Sequence, residues 1–239
     1  MDPDRLLKRA FYFYKLATSE DSSAVLKELE SLDTHTARKE YAEKHLEHLS
    51  SGSSRIVYKT PKGTILKLAK NDKGIAQNKA EANPKMKSKY LNEIVGHAPN
   101  YVWIETHYLE KITTKQFEEM TGLKFDDFGE SIRYGLKKVS GNTDLEKPEN
   151  FEKVEKSDIY KEMHHIGTEF KLMPGDLARI SSWGVKDKHP VLIDAGLTAD
   201  VFEKFYEDHS SWRNFTIWWK PFHITRIVVC VRSDCHTIP

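Results

Sequence analysis

An α+β fold, a small antiparallel sheet joined to a helical half, is predicted by three features of this chain. Apolar residues recur at helical spacing before residue 49. Two β-rich runs, Arg55–Thr60 and Thr64–Leu68, then flank a Pro61-Lys62-Gly63 turn. Helix-period stretches return after residue 113 and are broken late by one apolar strand, Pro190–Ile193.

The elements follow in order. Leu6, Ala10, Phe13 and Ala17 share one helical stripe, which Phe11 and Tyr14 widen into a core face. Val25, Leu26, Leu29 and Leu32 predict a second short helix. A third runs from about Thr36 to Leu49, with Asp33 or Thr36 as its N-cap. Ser50-Ser51-Gly52-Ser53-Ser54 is a small-residue loop, and Pro followed two residues later by Gly marks a hairpin. Ile75–Ala82 is a polar helix that Pro84 interrupts. Tyr101–Ile112 is a strand leaving into a connection. Lys115–Thr121 and Phe128–Lys137 are helical, and 139–157 is a polar loop. Asp158–Leu172 is a helix with Ile159, Met163, Ile166 and Phe170 inward. Pro174-Gly175-Asp176 is a loop and Ala199–Tyr206 a helix. The aromatic, β-rich tail 210–239 is set apart, with no role assigned.

Charged residues make up 31% and hydrophobic ones 38%, a balance that excludes a disordered chain. The net charge of +1 gives no general pull toward nucleic acid. Between Arg55 and Tyr90, however, ten Lys/Arg face two acids, Asp72 and Glu81. That stretch is either a solvated lysine-rich face or a seat for a polyanion, nucleotide phosphates before a nucleic-acid backbone. Nucleic-acid recognition signatures are missing. Two cysteines, Cys230 and Cys235, make no disulfide framework. The charged N-terminus is no signal peptide, and no run is apolar enough to span a bilayer, so the expectation is a cytoplasmic protein without a membrane partner. His164, His165, His223, His236 and the cysteines lack zinc-ligand spacing.

Four features carry chemistry. Gly52, Ser53 and Ser54 form a strand–turn–strand loop whose backbone N–H groups could close over phosphates, though such turns are also ordinary hairpins. Alternation puts Ile65 and Lys67 on one face of their strand, and Leu66 and Leu68 on the other. A lysine there needs an anionic partner, and Glu81 is the glutamate of the next helix; the competing reading is a solvated lysine on an edge strand. Apolar Pro190–Ile193 runs directly into Asp194-Ala195-Gly196, and Asp176 lies upstream. The two aspartates are either turn caps or working carboxylates.

Taken together, residues 50–206 resemble the protein-kinase-like superfamily, and are similar to its small, divergent phage and bacterial members. SSGSSRIVY resembles the glycine-rich loop, with the three glycine positions falling on Ser50, Gly52 and Arg55. TILKL resembles the lysine strand, and Asp194-Ala195-Gly196 the metal-binding Asp-x-Gly. The resemblance implies a reduced two-lobed fold: an N-terminal helical segment at 1–49, a sheet lobe at 50–112, a reduced helical lobe at 113–209, and the tail. It implies ATP and Mg²⁺ as ligands. Gly52, Ser53, Ser54, Lys67 and Glu81 would serve the nucleotide, Asp176 would be the base, and Asp194 with Ser181 would hold metal. Residues 107–110 would meet adenine through backbone groups.

The departures from that pattern matter. Pro174 and Gly175 replace the catalytic-loop histidine and arginine, and Ser181 (or Ser182 with a one-residue shift) stands at the asparagine position. No Ala-Pro-Glu motif follows Gly196, so a peptide-docking platform is not expected. The expected function is an ATP/Mg-dependent phosphotransferase with a small-molecule acceptor, whose site Arg179 would help to shape, with Trp183 either beside it or packing in the core. The alternative is a catalytically impaired pseudokinase with a nucleotide-binding or scaffold role and an unidentified protein partner. If the chain is phage-encoded, the host cytoplasm or the virion would be its place.

Overall fold

The computed structural model describes residues 22–142, 144–206, 227–231 and 234–238. The helix predicted around Leu6 to Ala17 and most of the tail lie outside the described residues. Two helices, Ser22–Ser31 (α1) and His35–His45 (α2), come first. The N-cap of α2 is Thr34, which accepts from the Ala37 amide at 3.1 Å, not Asp33 or Thr36. The helix also ends earlier than predicted. Leu46 is extended, and Glu47–Ser51 form a strand (β1) where the sequence had suggested helix.

Four more strands complete an antiparallel sheet: Arg55–Lys59 (β2), Thr64–Ala69 (β3), Ile94–His97 (β4) and Trp103–His107 (β5), in the order β1-β2-β3-β5-β4. The hairpin signal is correct, and Gly63 closes it at φ 80°, a left-handed conformation that suits glycine. Strand β4 was not predicted, because IVGH is too short to show a period. A bulge at His48/Ser50 interrupts the β1–β2 register. One face of the sheet packs Tyr58, Leu66, Leu68 and Trp103 against Val25, Leu29 and Ala42 of the N-terminal helices and Leu46 just after them. Residues 22–46 therefore share the core of the sheet. On the other side lies α3, Asp72–Glu81, capped by Asn71, whose side chain accepts from Gly74 N at 3.1 Å.

The helical half is built from Thr114–Thr121 (α4), Phe125–Val139 (α5), Phe151–Val154 (α6), Asp158–Glu169 (α7), Pro174–Leu177 (α8) and Ala199–Phe205 (α9). Thr113 and Gln116 form a reciprocal capping box at α4, and left-handed Gly122 ends that helix. Phe128, Ile132 and Leu136 recur at i, i+4 and are fully buried, which fixes the inward face of α5. Helices α5 and α7 approach closely: a Cβ on Gly167 would meet Leu136 at 2.9 Å. The predicted 139–157 loop contains α6, and the predicted Pro174-Gly175-Asp176 loop is the single turn α8 with Pro at its first position.

Three strands, Glu110–Lys111 (β6), Trp183–Lys186 (β7) and His189–Leu192 (β8), form a second small sheet at the junction of the halves. Strands Ile227–Val231 (β9) and Asp234–Ile238 (β10) pair as a hairpin, in keeping with the β-rich tail, with Cys230 and Cys235 opposite in register. The architecture is α+β, with an antiparallel sheet and a helical part around separate clusters of buried side chains. Among the described residues no helix is long and apolar enough to cross a membrane.

Candidate functional site

A cleft of about 1050 Å³ lies between the sheet and the helical half. Its wall residues come from β2, β3, the β5–β6 connection, α8 and the segment after β8, and they include Gly52, Ser53, Ser54, Lys67, Asp176, Ser181 and Asp194. These seven predicted positions thus converge on one concavity. Glu81 stands behind it.

Alternation along β3 works as expected. Leu66 and Leu68 enter the sheet core, while Ile65 and Lys67 face the cleft. Lys67 is buried and is not a solvated edge lysine: its strand is paired on both sides. Its ammonium donates to Glu81 Oε1 and, at 2.6 Å, to the Ile193 carbonyl. Glu81 reaches Lys67 because α3 runs back across the sheet, held by Asn78, whose amide donates to the Lys67 carbonyl at 3.2 Å.

The residue that sequence reasoning passed over is Arg55. At the third glycine position of the loop it looked like a mere departure. Here it is a buried cation joining two parts of the site. Nη1 donates to Glu81 Oε2 at 2.6 Å and to Asn78 Oδ1 at 3.3 Å, and Nη2 donates to Asp194 Oδ1. Burial opposes its charge, but Asp194 and Glu81 outweigh burial and raise its pKa. A readable signal existed: a charge opening an apolar strand must find carboxylates if that strand is buried.

The loop is less open to phosphate than expected. Gly52 N donates to the Arg55 carbonyl at 2.8 Å, and the Ser54 hydroxyl donates to Gln77 Oε1 at 2.6 Å. Gln77 in turn donates to the Tyr206 hydroxyl at 3.1 Å. A Cβ on Gly52 would make only ordinary contact with the Arg55 carbonyl, at 3.7 Å, so glycine is not required there by space. In the β5–β6 connection, the His107 carbonyl already accepts from Asn92 Nδ2 at 2.9 Å. Thr106 turns toward the cleft with its hydroxyl buried and without a protein partner.

Asp176 and Asp194 differ electrostatically. Burial, then the nearby Asp194 charge, pushes Asp176 up to about 6, with Arg179 opposing at 3.7 Å. Desolvation also opposes ionisation of Asp194, but Arg55 and Lys67 outweigh it and hold its carboxyl below the usual range. Two carboxylates in one cleft are thus driven apart, the pattern of a proton acceptor beside a fixed anion. Between the ordinary 3.8 and about 6 the folded chain holds a proton on Asp176 that the unfolded chain has lost. Asp176 therefore weakens the fold as pH rises through that window. Asp176→Asn is expected to stabilise the protein above pH 6 by about 1–3 kcal/mol, a gain that fades toward pH 4. Denaturant melts across that range check it; a pH-independent difference would mean that Asp176 titrates normally.

Arg179 lines the cleft. Trp183 does not. It is fully buried in the helical core, and its indole N–H donates to the Leu177 carbonyl at 2.9 Å.

The arrangement does not fit Mg²⁺ as the Asp-x-Gly resemblance implied. Mg²⁺ is usually held by one or two carboxylates together with phosphate oxygens, and the carboxylate that would hold it, Asp194, is already paired with Arg55. The described residues hold no group of three His, Cys, Asp or Glu side chains that could hold a metal by themselves. The chain has no match among protein-family models, curated proteins or solved structures.

Proposed function

We propose that this chain is a nucleotide-binding protein on a reduced protein-kinase-like plan. The Lys67–Glu81 ion pair carries the reading: a buried lysine, oriented by a helix glutamate, on the floor of a cleft that also holds Asp176 and Asp194. The N–H donors of Lys67 and Arg55 beneath a strand–turn–strand loop suit phosphate oxygens, and the β5–β6 connection offers backbone edges to a base. Arg55 bound to Asp194 favours the catalytically impaired form, a pseudokinase with a nucleotide-binding or scaffold role.

Phosphoryl transfer to a small-molecule acceptor is the second reading, and the raised pKa of Asp176 favours it. A carboxylate that titrates near neutrality is a competent general base for a hydroxyl.

Thermal melts with ATP test the proposal. A ligand that binds the native state raises its stability, by about 2.7 kcal/mol at a hundredfold excess over Kd. ATP is expected to raise the melting temperature of the wild type and not of Lys67→Met. No shift with any nucleotide would end the proposal. A shift without γ-phosphate release selects the pseudokinase form, and release that is lost in Asp176→Asn selects the transferase.

A further inference from the structure

We infer that Arg55 is the resident cation of this cleft, standing against Asp194 in the place of a divalent metal, so that nucleotide phosphate is bound without one. The inference rests on the nucleotide-binding reading above and specifies how that site handles charge.

Three observations support it. The first is position. Arg55 opens β2 directly after the Gly52 loop and lines the cleft, while its guanidinium bridges Glu81 and Asp194. A planar fork of this kind matches carboxylate and phosphate oxygens alike. Three of its N–H groups have acceptors, and a guanidinium carries more donors than that.

The second is fit. A Cβ on Gly196 would lie 3.0 Å from Nη1 and 3.2 Å from Nη2 of Arg55, and 2.9 Å from the Gln77 carbonyl. The glycine of Asp194-Ala195-Gly196 therefore leaves the room that the guanidinium fills. Asn78, itself fully buried, accepts from the same nitrogen and fixes the plane of the fork.

The third is charge. Arg55 and Lys67 are matched by Glu81 and Asp194, so the quartet is already neutral. A divalent ion on Asp194 would meet the Arg55 cation on the same carboxylate, and where it displaced the fork it would leave Arg55 to share Glu81 with Lys67. Buried cations that lose a carboxylate are strongly disfavoured. A phosphate oxygen brings no second cation to the fork and can accept from its remaining N–H groups while the carboxylates stay in place.

The full-length chain tests this directly. ATP affinity would be measured by calorimetry in EDTA and in excess Mg²⁺, and Mn²⁺ alone would be titrated by electron paramagnetic resonance. The wild type is expected to bind ATP within about threefold of the same affinity in both buffers, and to leave millimolar Mn²⁺ free. Arg55→Met is expected to lose at least about tenfold in metal-free affinity and to gain Mn²⁺ binding as Asp194 is released. Arg55→Lys, which keeps the charge and loses the fork, should fall between them; circular dichroism checks that both variants fold. The wild-type comparison decides the matter even if they do not. ATP binding that is tighter with Mg²⁺ by about tenfold or more would overturn the inference and leave the nucleotide-binding reading standing. No ATP binding in either buffer would overturn both.

Discussion

Glu81→Ala is expected to cost about 3–5 kcal/mol of folding stability, the usual consequence of breaking a buried ion pair. Its carboxylate is 5% exposed and serves two cations, one oxygen for Lys67 and the other for Arg55. Arg55 keeps Asp194 when Glu81 is removed. Lys67 keeps the Ile193 carbonyl as its hydrogen-bond acceptor, a dipole in place of a bonded charge, with Asp194 near it but not bonded to it. For a chain of this size the loss corresponds to a fall in melting temperature of roughly 6–20 °C. Glu81→Gln, which can still accept a hydrogen bond, should cost less. A double-mutant cycle with Lys67→Met isolates the pair, and a coupling energy below about 0.5 kcal/mol would show that the carboxylate and ammonium act independently.

Trp183→Ala is expected to destabilise the protein by a similar amount, about 3–5 kcal/mol, for a different reason. The indole is fully buried and meets the Phe117 and Phe128 rings edge-on, with centroids 5.9 and 5.6 Å away. Alanine leaves a cavity among rigid rings that cannot collapse into it. The indole N–H also holds the Leu177 carbonyl, one residue beyond Asp176. Trp183→Phe separates the two roles. It retains most of the packing, loses that hydrogen bond, and is expected to cost about 1 kcal/mol beyond the change in volume. A denaturant series on the three proteins checks the order. Equal stability of Trp183→Phe and Trp183→Ala would mean that the hydrogen bond, and not the ring, dominates.

Much of this fold could be read from local pattern. The Arg55–Lys59 and Thr64–Ala69 hairpin announced itself through alternation and its Pro-x-Gly turn. Phe128–Lys137 reads as helical and lies within the long helix of the other half. The misses share a physical cause. Glu47–Ser51 is exposed along its length, so no apolar alternation betrays a strand that exists because β2 offers it an edge. Ile94–His97 likewise owes its conformation to pairing with β5. At the site, Lys67 and Glu81 could be matched because strand and helix are neighbours in sequence. Arg55 to Asp194 could not, since their meeting depends on how the two halves close on each other. Trp183 stayed open between site and core, because a tryptophan beside a loop reads the same in sequence whether it faces a cleft or packs inward, and it packs inward.

That closure has a bearing on the order in which the molecule is built. The Arg55–Asp194 contact spans 139 positions and the Lys67–Ile193 contact 126. During synthesis the sheet and its two cations emerge well before the segment that completes their coordination. Until then Glu81 alone must serve both, and drawing the ends of so long a loop together carries an entropic cost that local hairpins escape. The ionic knot at the cleft is therefore among the last features to form, and the sheet-bearing fragment cut off before residue 193 is an incomplete object, left with an arginine whose second carboxylate has not yet arrived.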